Sequence, residues 1–232
     1  EAGRLPQVRQ MSFMASDQHV REAMALSAGM ITMIDDAVGA IVEALKASGR
    51  FENTVIVFNS DHGDYLGDFN LMLKGAWPKD SITRVPMIWS DPVRREAAVT
   101  AALASTVDLA PTIIERAGLR PYFGMQGKSF YPVLAGEQGS RESVFIEYND
   151  GGKRMGFEQP ARVRSLTTPD WHLSVYKDLD WGELYDRRAD PGETRNLWDD
   201  DAHRPVRAKL MERLVHEAIR NMEESPRATR LA

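Results

Sequence analysis

Apolar residues return along this chain in several distinct rhythms, and each rhythm predicts an element. Between residues 20 and 48, Ile31, Ile34, Val38, Ile41 and Leu45 recur at alternating steps of three and four, which stacks them in one stripe of an amphipathic helix. Gly49 follows, where a left-handed residue ends such a helix. Val55-Ile56-Val57-Phe58 is apolar at every position, the pattern of a strand covered on both faces as in a parallel sheet. Val85-Pro86-Met87-Ile88-Trp89 predicts a neighbouring strand, which Pro86 confines to a strand start or an edge. Residues 108 to 117 predict another helix, with Asp108 as its N-cap and Gly118 just past its end.

The texture changes near residue 140. Short strands are predicted at Val144–Tyr148, Arg162–Thr167, Leu173–Tyr176 and Glu183–Tyr185, separated by Gly, Asp and Pro at the spacing of antiparallel hairpins. A last helix over 204 to 222 carries Val206, Leu210, Leu214 and Ala218 on one face. The fold class is therefore α/β: a helix–strand–helix portion over 1–140, then a small antiparallel sheet with a C-terminal helix over 141–232.

Composition narrows the function classes. The chain has 232 residues, 43% hydrophobic, enough for a sizeable core. Its net charge of −5 and lack of any basic block argue against nucleic acid as a partner. With no cysteine, disulfides, thiolate metal sites and a cysteine nucleophile within these residues are excluded. No unbroken run approaches the roughly 20 apolar residues that span a bilayer, so no membrane partner is expected.

The chemistry concentrates in one stretch. Asp61 and His62 stand three and four residues past the apolar run ending at Phe58, and functional groups of open sheets gather at strand ends. A carboxylate beside an imidazole suits a hard or borderline metal, and Gly63 would let the backbone turn sharply behind them. Asn, Ser, Asp and Gly also close strands as plain turns, so on spacing alone both readings stand. Lys74 follows on a glycine-bearing loop, where it is either solvated or turned back toward a bound anion.

The run T-V-I-V-F-N-S-D-H-G-D, then L-G-D-F-N-L-M-L-K-G and R-V-P-M-I-W, resembles the C-terminal signature of the sulfatase family, within the alkaline-phosphatase superfamily. Gly29-Met30-Ile31 with Ile34 to Gly39 resembles the family helix before this strand, and Asp108-Leu109-Ala110-Pro111-Thr112 with Gly118 the helix after it. Trp171-His172-Leu173, Glu183-Leu184-Tyr185-Asp186, Asp190-Pro191-Gly192-Glu193 and Asn196-Leu197 resemble its C-terminal subdomain. The resemblance implies an alkaline-phosphatase-like mixed sheet flanked by helices. It makes Asp61 and His62 ligands of one divalent cation, calcium or manganese. Lys74 becomes the group that contacts the sulfate or phosphoryl oxygens of a small anionic ester, as both substrate-binding and catalytic residue. Many family members have Asn at the position of His62; the Asp-His pair suits the choline-sulfatase and phosphonate-hydrolase branches. Sulfur and phosphorus esters both remain open as substrates.

The family also needs two early aspartates and a formylglycine nucleophile made from Cys or Ser in Cys/Ser-x-Pro-x-Arg, both upstream of the matched region. Ser90-Asp91-Pro92-Val93-Arg94 fits that pattern formally but falls downstream of Asp61, carries Val93 where a small residue is usual, and is set aside. Asp35-Asp36 is read as helix surface or as a hydrogen-bonded pair. His19, His172, His203 and His216 are read as structural or exposed, which leaves too few histidines for a two-zinc site. The expectation is thus the C-terminal portion of a sulfatase-family hydrolase, inactive alone, whose partner is its missing N-terminal half or a second copy of the chain.

Overall fold

The computed structural model describes residues 15–137, 141–153 and 157–223. They fall into two compact units, one within 15–99 together with 152–153 and 157–160, the other within 100–151 and 161–223. The texture change near residue 140 lies inside the second unit.

The first unit begins with α1 (Asp17–Ala47), whose start is capped by Ser16 accepting from the His19 N–H at 3.3 Å. Gly49 ends the helix at φ +67°, the left-handed conformation that a Cβ would penalise. Its apolar stripe is open: Ile31, Ile34 and Ile41 are 51 to 65% exposed, and Asp35 and Asp36 are exposed beside them.

The expectation that no segment could cross a bilayer needs correction. By length and composition α1 passes that test, as core helices of globular proteins also do. The helix contains no unbroken apolar run of that length because Asp35-Asp36 divides an otherwise uncharged stretch between Glu22 and Glu43. Two adjacent carboxylates in the middle of a span are costly in lipid.

Strand β1 (Ile56–Asn59) pairs with β2 (Met87–Ser90), Ile56 opposite Ser90 and Asn59 opposite Met87. This pairing is antiparallel, and all four β1 residues are partly exposed, where a parallel strand covered on both faces was expected. The reason is the return path. The chain leaves Asn59, loops through a short α2 (Asp80–Thr83) and re-enters at Met87 beside the residue it left. Pro86 falls just before the ladder, where its missing N–H costs nothing.

The second unit opens with α3 (Leu109–Arg116), ended by Gly118 at φ +70°. Asp108 occupies the N-cap position, but its side chain works elsewhere. One oxygen accepts from Ser105 N–H (2.9 Å), the other from Lys128 N–H (2.7 Å) and the Arg141 guanidinium. A short α4 (Tyr131–Leu134) leads to the sheet β3 (Val144–Asn149), β4 (Arg162–Thr167), β5 (Trp171–Tyr176) and β6 (Gly182–Asp186), antiparallel in sequence order. Helix α5 (Arg204–Arg220) completes it.

Register makes the core of this unit. Leu166, Leu173 and Leu184 stand opposite one another across three strands, fully buried, and cluster with Leu197 and with Leu210 and Leu214 of α5. The alternate face is polar and paired. Ser165 and Ser174 share a hydrogen bond of 2.6 Å, and Tyr185 donates to Glu183 at 2.8 Å. Leu184→Ala should cost about 2–5 kcal/mol, the range for truncating a buried leucine. Chemical denaturation would register it, and a variant as stable as the parent would show that this ladder is not the core.

Candidate metal-binding site

The end of β1 delivers Ser60, Asp61 and His62 into a backbone held from two sides. Ser60 Oγ donates to the His62 carbonyl (2.9 Å), and the Gly63 N–H donates to the Ile82 carbonyl (2.8 Å). A Cβ on Gly63 would sit 1.9 Å from the Ser81 carbonyl oxygen. Glycine is therefore required here by close backbone approach; Gly63 does not use a left-handed φ to make the sharp turn expected of it.

The protons on His62 follow from its partners. Nδ1 lies 2.7 Å from the Gly63 carbonyl oxygen, which can only accept, so Nδ1 carries the hydrogen. Nε2 lies 2.6 Å from Lys74 Nζ, which can only donate, so Nε2 presents its lone pair. Asp61 Oδ2 stands 3.3 Å from that same nitrogen. Asp61 is 83% exposed, and its Oδ1 accepts the His62 N–H at 2.9 Å. That bond, with a smaller contribution from the Lys74 ammonium, holds the carboxyl below its ordinary value of 3.8.

One carboxylate oxygen and one imidazole lone pair side by side fit a calcium- or manganese-type cation. The pair is a partial donor set: among the described residues no third His, Cys, Asp or Glu joins it. The structure thus brings Asp61, His62 and Lys74 together.

Lys74 is delivered by a strained loop. Leu66, Phe69, Asn70 and Leu73 all have positive φ, a conformation that costs on the order of 1–3 kcal/mol at a non-glycine residue. Buried Tyr65, Leu71 and Trp77 hold the loop in that shape. The Tyr65 hydroxyl donates to the Trp77 carbonyl (2.7 Å) and accepts the Trp77 N–H (3.2 Å), while Tyr65 N–H donates to the Leu73 carbonyl (2.9 Å). Gly67 packs against Val20 of α1, where a Cβ would meet a methyl at 2.4 Å. Sequence reasoning missed Tyr65 and Trp77 as positioning residues, since a loop has no period to betray its buried side.

The residues set aside lie as follows. Ser90-Asp91-Pro92-Val93-Arg94 is a turn closing β2. The Ser90 hydroxyl accepts from Arg95 (2.8 Å), whose guanidinium lies 4.0 Å over the Phe51 ring. His172 is buried between Glu193 (2.5 Å) and Ser174 (3.2 Å), His203 is paired with Asp200 (3.0 Å), and His19 and His216 are exposed.

The chain matches the family described as Sulfatase over residues 3–119 and the one described as N-sulphoglucosamine sulphohydrolase, C-terminal, over residues 67–220. It is 29% identical to the N-acetylglucosamine-6-O-sulfatase of Bacteroides thetaiotaomicron, over 85% of this chain and 35% of that protein. It is 29% identical to the choline-sulfatase of Rhizobium meliloti, over 80% of this chain and 35% of that protein. The phosphonate monoester hydrolase of Silicibacter pomeroyi superposes with a TM-score of 0.82 at 28% identity, over 90% of this chain and 43% of the other. The chain belongs to the sulfatase family, has the α/β fold of its structural relatives, and spans well under half the length of these three.

Two measurements probe the site. Because the folded pKa of Asp61 is lowered, its contribution is in place above 3.8 and fades as pH falls through the lowered value. A ¹³C titration of Asp61 should find its midpoint below 3.8, and one at or above that value would break the bonding scheme. Tyr65→Phe, which removes both hydroxyl bonds to Trp77, should cost about 1–3 kcal/mol. Unchanged unfolding would exclude the hydroxyl as the clamp of the loop.

Proposed function

We propose that this chain is the C-terminal portion of a metal-dependent hydrolase of sulfate monoesters. The observation that carries the reading is the convergence of Asp61 Oδ2 and Lys74 Nζ on His62 Nε2, at 3.3 and 2.6 Å, in a chain of the sulfatase family. Asp61 and His62 would hold a calcium or manganese ion, completed by the two upstream aspartates that the family resemblance implies. Such an ion supplies Lewis-acid charge to a sulfate oxygen. Lys74 donates to another oxygen of the same group and takes up part of the negative charge that builds as the ester bond breaks. Gly63 and the Tyr65–Trp77 clamp keep those donors in place, so little reorganisation is needed during reaction.

No residue of this chain is assigned as the nucleophile. The Ser90 hydroxyl is held by Arg95 in a turn, so formylglycine is expected in the portion of the relatives that this chain does not match. Accordingly the 232 residues alone are proposed to be inactive. The open face of α1 is proposed as the seat for the rest of the sulfatase fold, which the greater length of the relatives makes available. Phosphonate or phosphate ester hydrolysis is the second reading, favoured by the likeness to the phosphonate monoester hydrolase. Tetrahedral anionic oxygens on phosphorus present the same charge to Asp61, His62 and Lys74.

A panel of aryl sulfates and phosphonates, assayed on the complete protein with each metal, tests both readings. Lys74→Ala should lower kcat/KM by roughly 10²–10³, and Asp61→Ala should abolish metal-dependent turnover. Full activity in either variant, or turnover by the isolated chain, would refute the assignment.

A further inference from the structure

The lone pair of His62 Nε2 has two claimants. Nδ1 is committed as a donor to the Gly63 carbonyl, so Nε2 is the only nitrogen of this ring able to bind a cation. Yet Lys74 donates to that nitrogen at 2.6 Å. One lone pair cannot serve both, and an ammonium at that distance also repels any divalent ion approaching the ring. We propose that Lys74 competes for the metal-binding nitrogen: its ammonium and a divalent cation exchange at His62 Nε2, and the exchange frees Lys74 for an anionic oxygen. The inference rests on the metal reading above and adds an order to it, cation before ester.

The loop gives this exchange its mechanical basis. Its backbone is fixed by the bonds from Tyr65 to Leu73 and Trp77, so the base of Lys74 stays where it is. The four-carbon stem is exposed and free to rotate. Movement is thus confined to one side chain, with the rest of the loop unchanged. The ammonium that holds the metal nitrogen is the one the ester needs. A complete site would therefore engage an anion poorly until His62 has given up Lys74.

Calorimetric titration of the complete protein with manganese(II), comparing the parent with Lys74→Met, tests this. Removing the competitor should tighten manganese binding by roughly three- to tenfold. A general field effect of the lost charge would be screened at 1 M salt, where the Debye length is about 3 Å, whereas competition for a lone pair persists there. Equal or weaker binding by Lys74→Met, or a difference that vanishes at 1 M salt, overturns the competition. Asp61→Ala and His62→Ala serve as controls. If both bind manganese like the parent, the metal reading fails and this inference fails with it; if both lose binding while Lys74→Met matches the parent, only the competition is lost.

Discussion

The hydrogen bond from His62 Nδ1 to the Gly63 carbonyl, 2.7 Å long, sets the chemistry of this strand end. By holding the ring proton on one nitrogen it leaves the other as an acceptor, turned toward Asp61 and Lys74. The opposite tautomer would present an N–H there, which could reach Asp61 but would leave no lone pair for Lys74 or a cation. The bond depends in turn on backbone path: Gly63 is seated against the Ser81 carbonyl and tied to Ile82, which aims its own carbonyl at the ring. A side chain at residue 63 would act on chemistry at residue 62 through geometry alone.

Strain and burial are balanced around Lys74. Left-handed backbone at Leu66, Phe69 and Leu73 is unfavourable for residues of that size, while Asn70 tolerates it better. Burial of Leu71, Tyr65 and Trp77 offsets that cost, at about 1.5–3 kcal/mol for a fully buried large apolar side chain. The loop is therefore ordered by its inward side chains, and its outward ones remain available for binding. The Lys79 ammonium, buried and 5.0 Å from the Phe69 ring centroid, extends the same packing.

Much of this was legible in the residues. The four strands of the second unit and its last helix follow from alternation and period, because their cores are built from contacts that repeat along the chain. Asp61, His62 and Lys74 were legible as a motif. The clamp that holds the loop carrying Lys74 was not, since Tyr65 and Trp77 meet across twelve residues. The run at 85–89 was the right partner for the apolar run at 55–58, but direction and cover were misjudged, since hydrophobicity alone does not say which way a neighbour runs. Asp108 looked like an N-cap by position, but its carboxylate bridges Ser105, Lys128 and Arg141, contacts that no local pattern encodes. In α1 the period was right and the cover is open, because a stripe shows where a partner packs without supplying one.

The Tyr65–Trp77 contact closes the loop at its neck, and the segment between hangs from that closure like a bucket from its handle. Variation at the rim, around Phe69 and Leu73, can reshape what the loop offers to solvent without passing through the neck to β1 and its two donors. A lineage could retune which ester the loop admits while the donor pair keeps its geometry. The divide between an open rim and a buried anchor is thus drawn by one phenol and one indole residue.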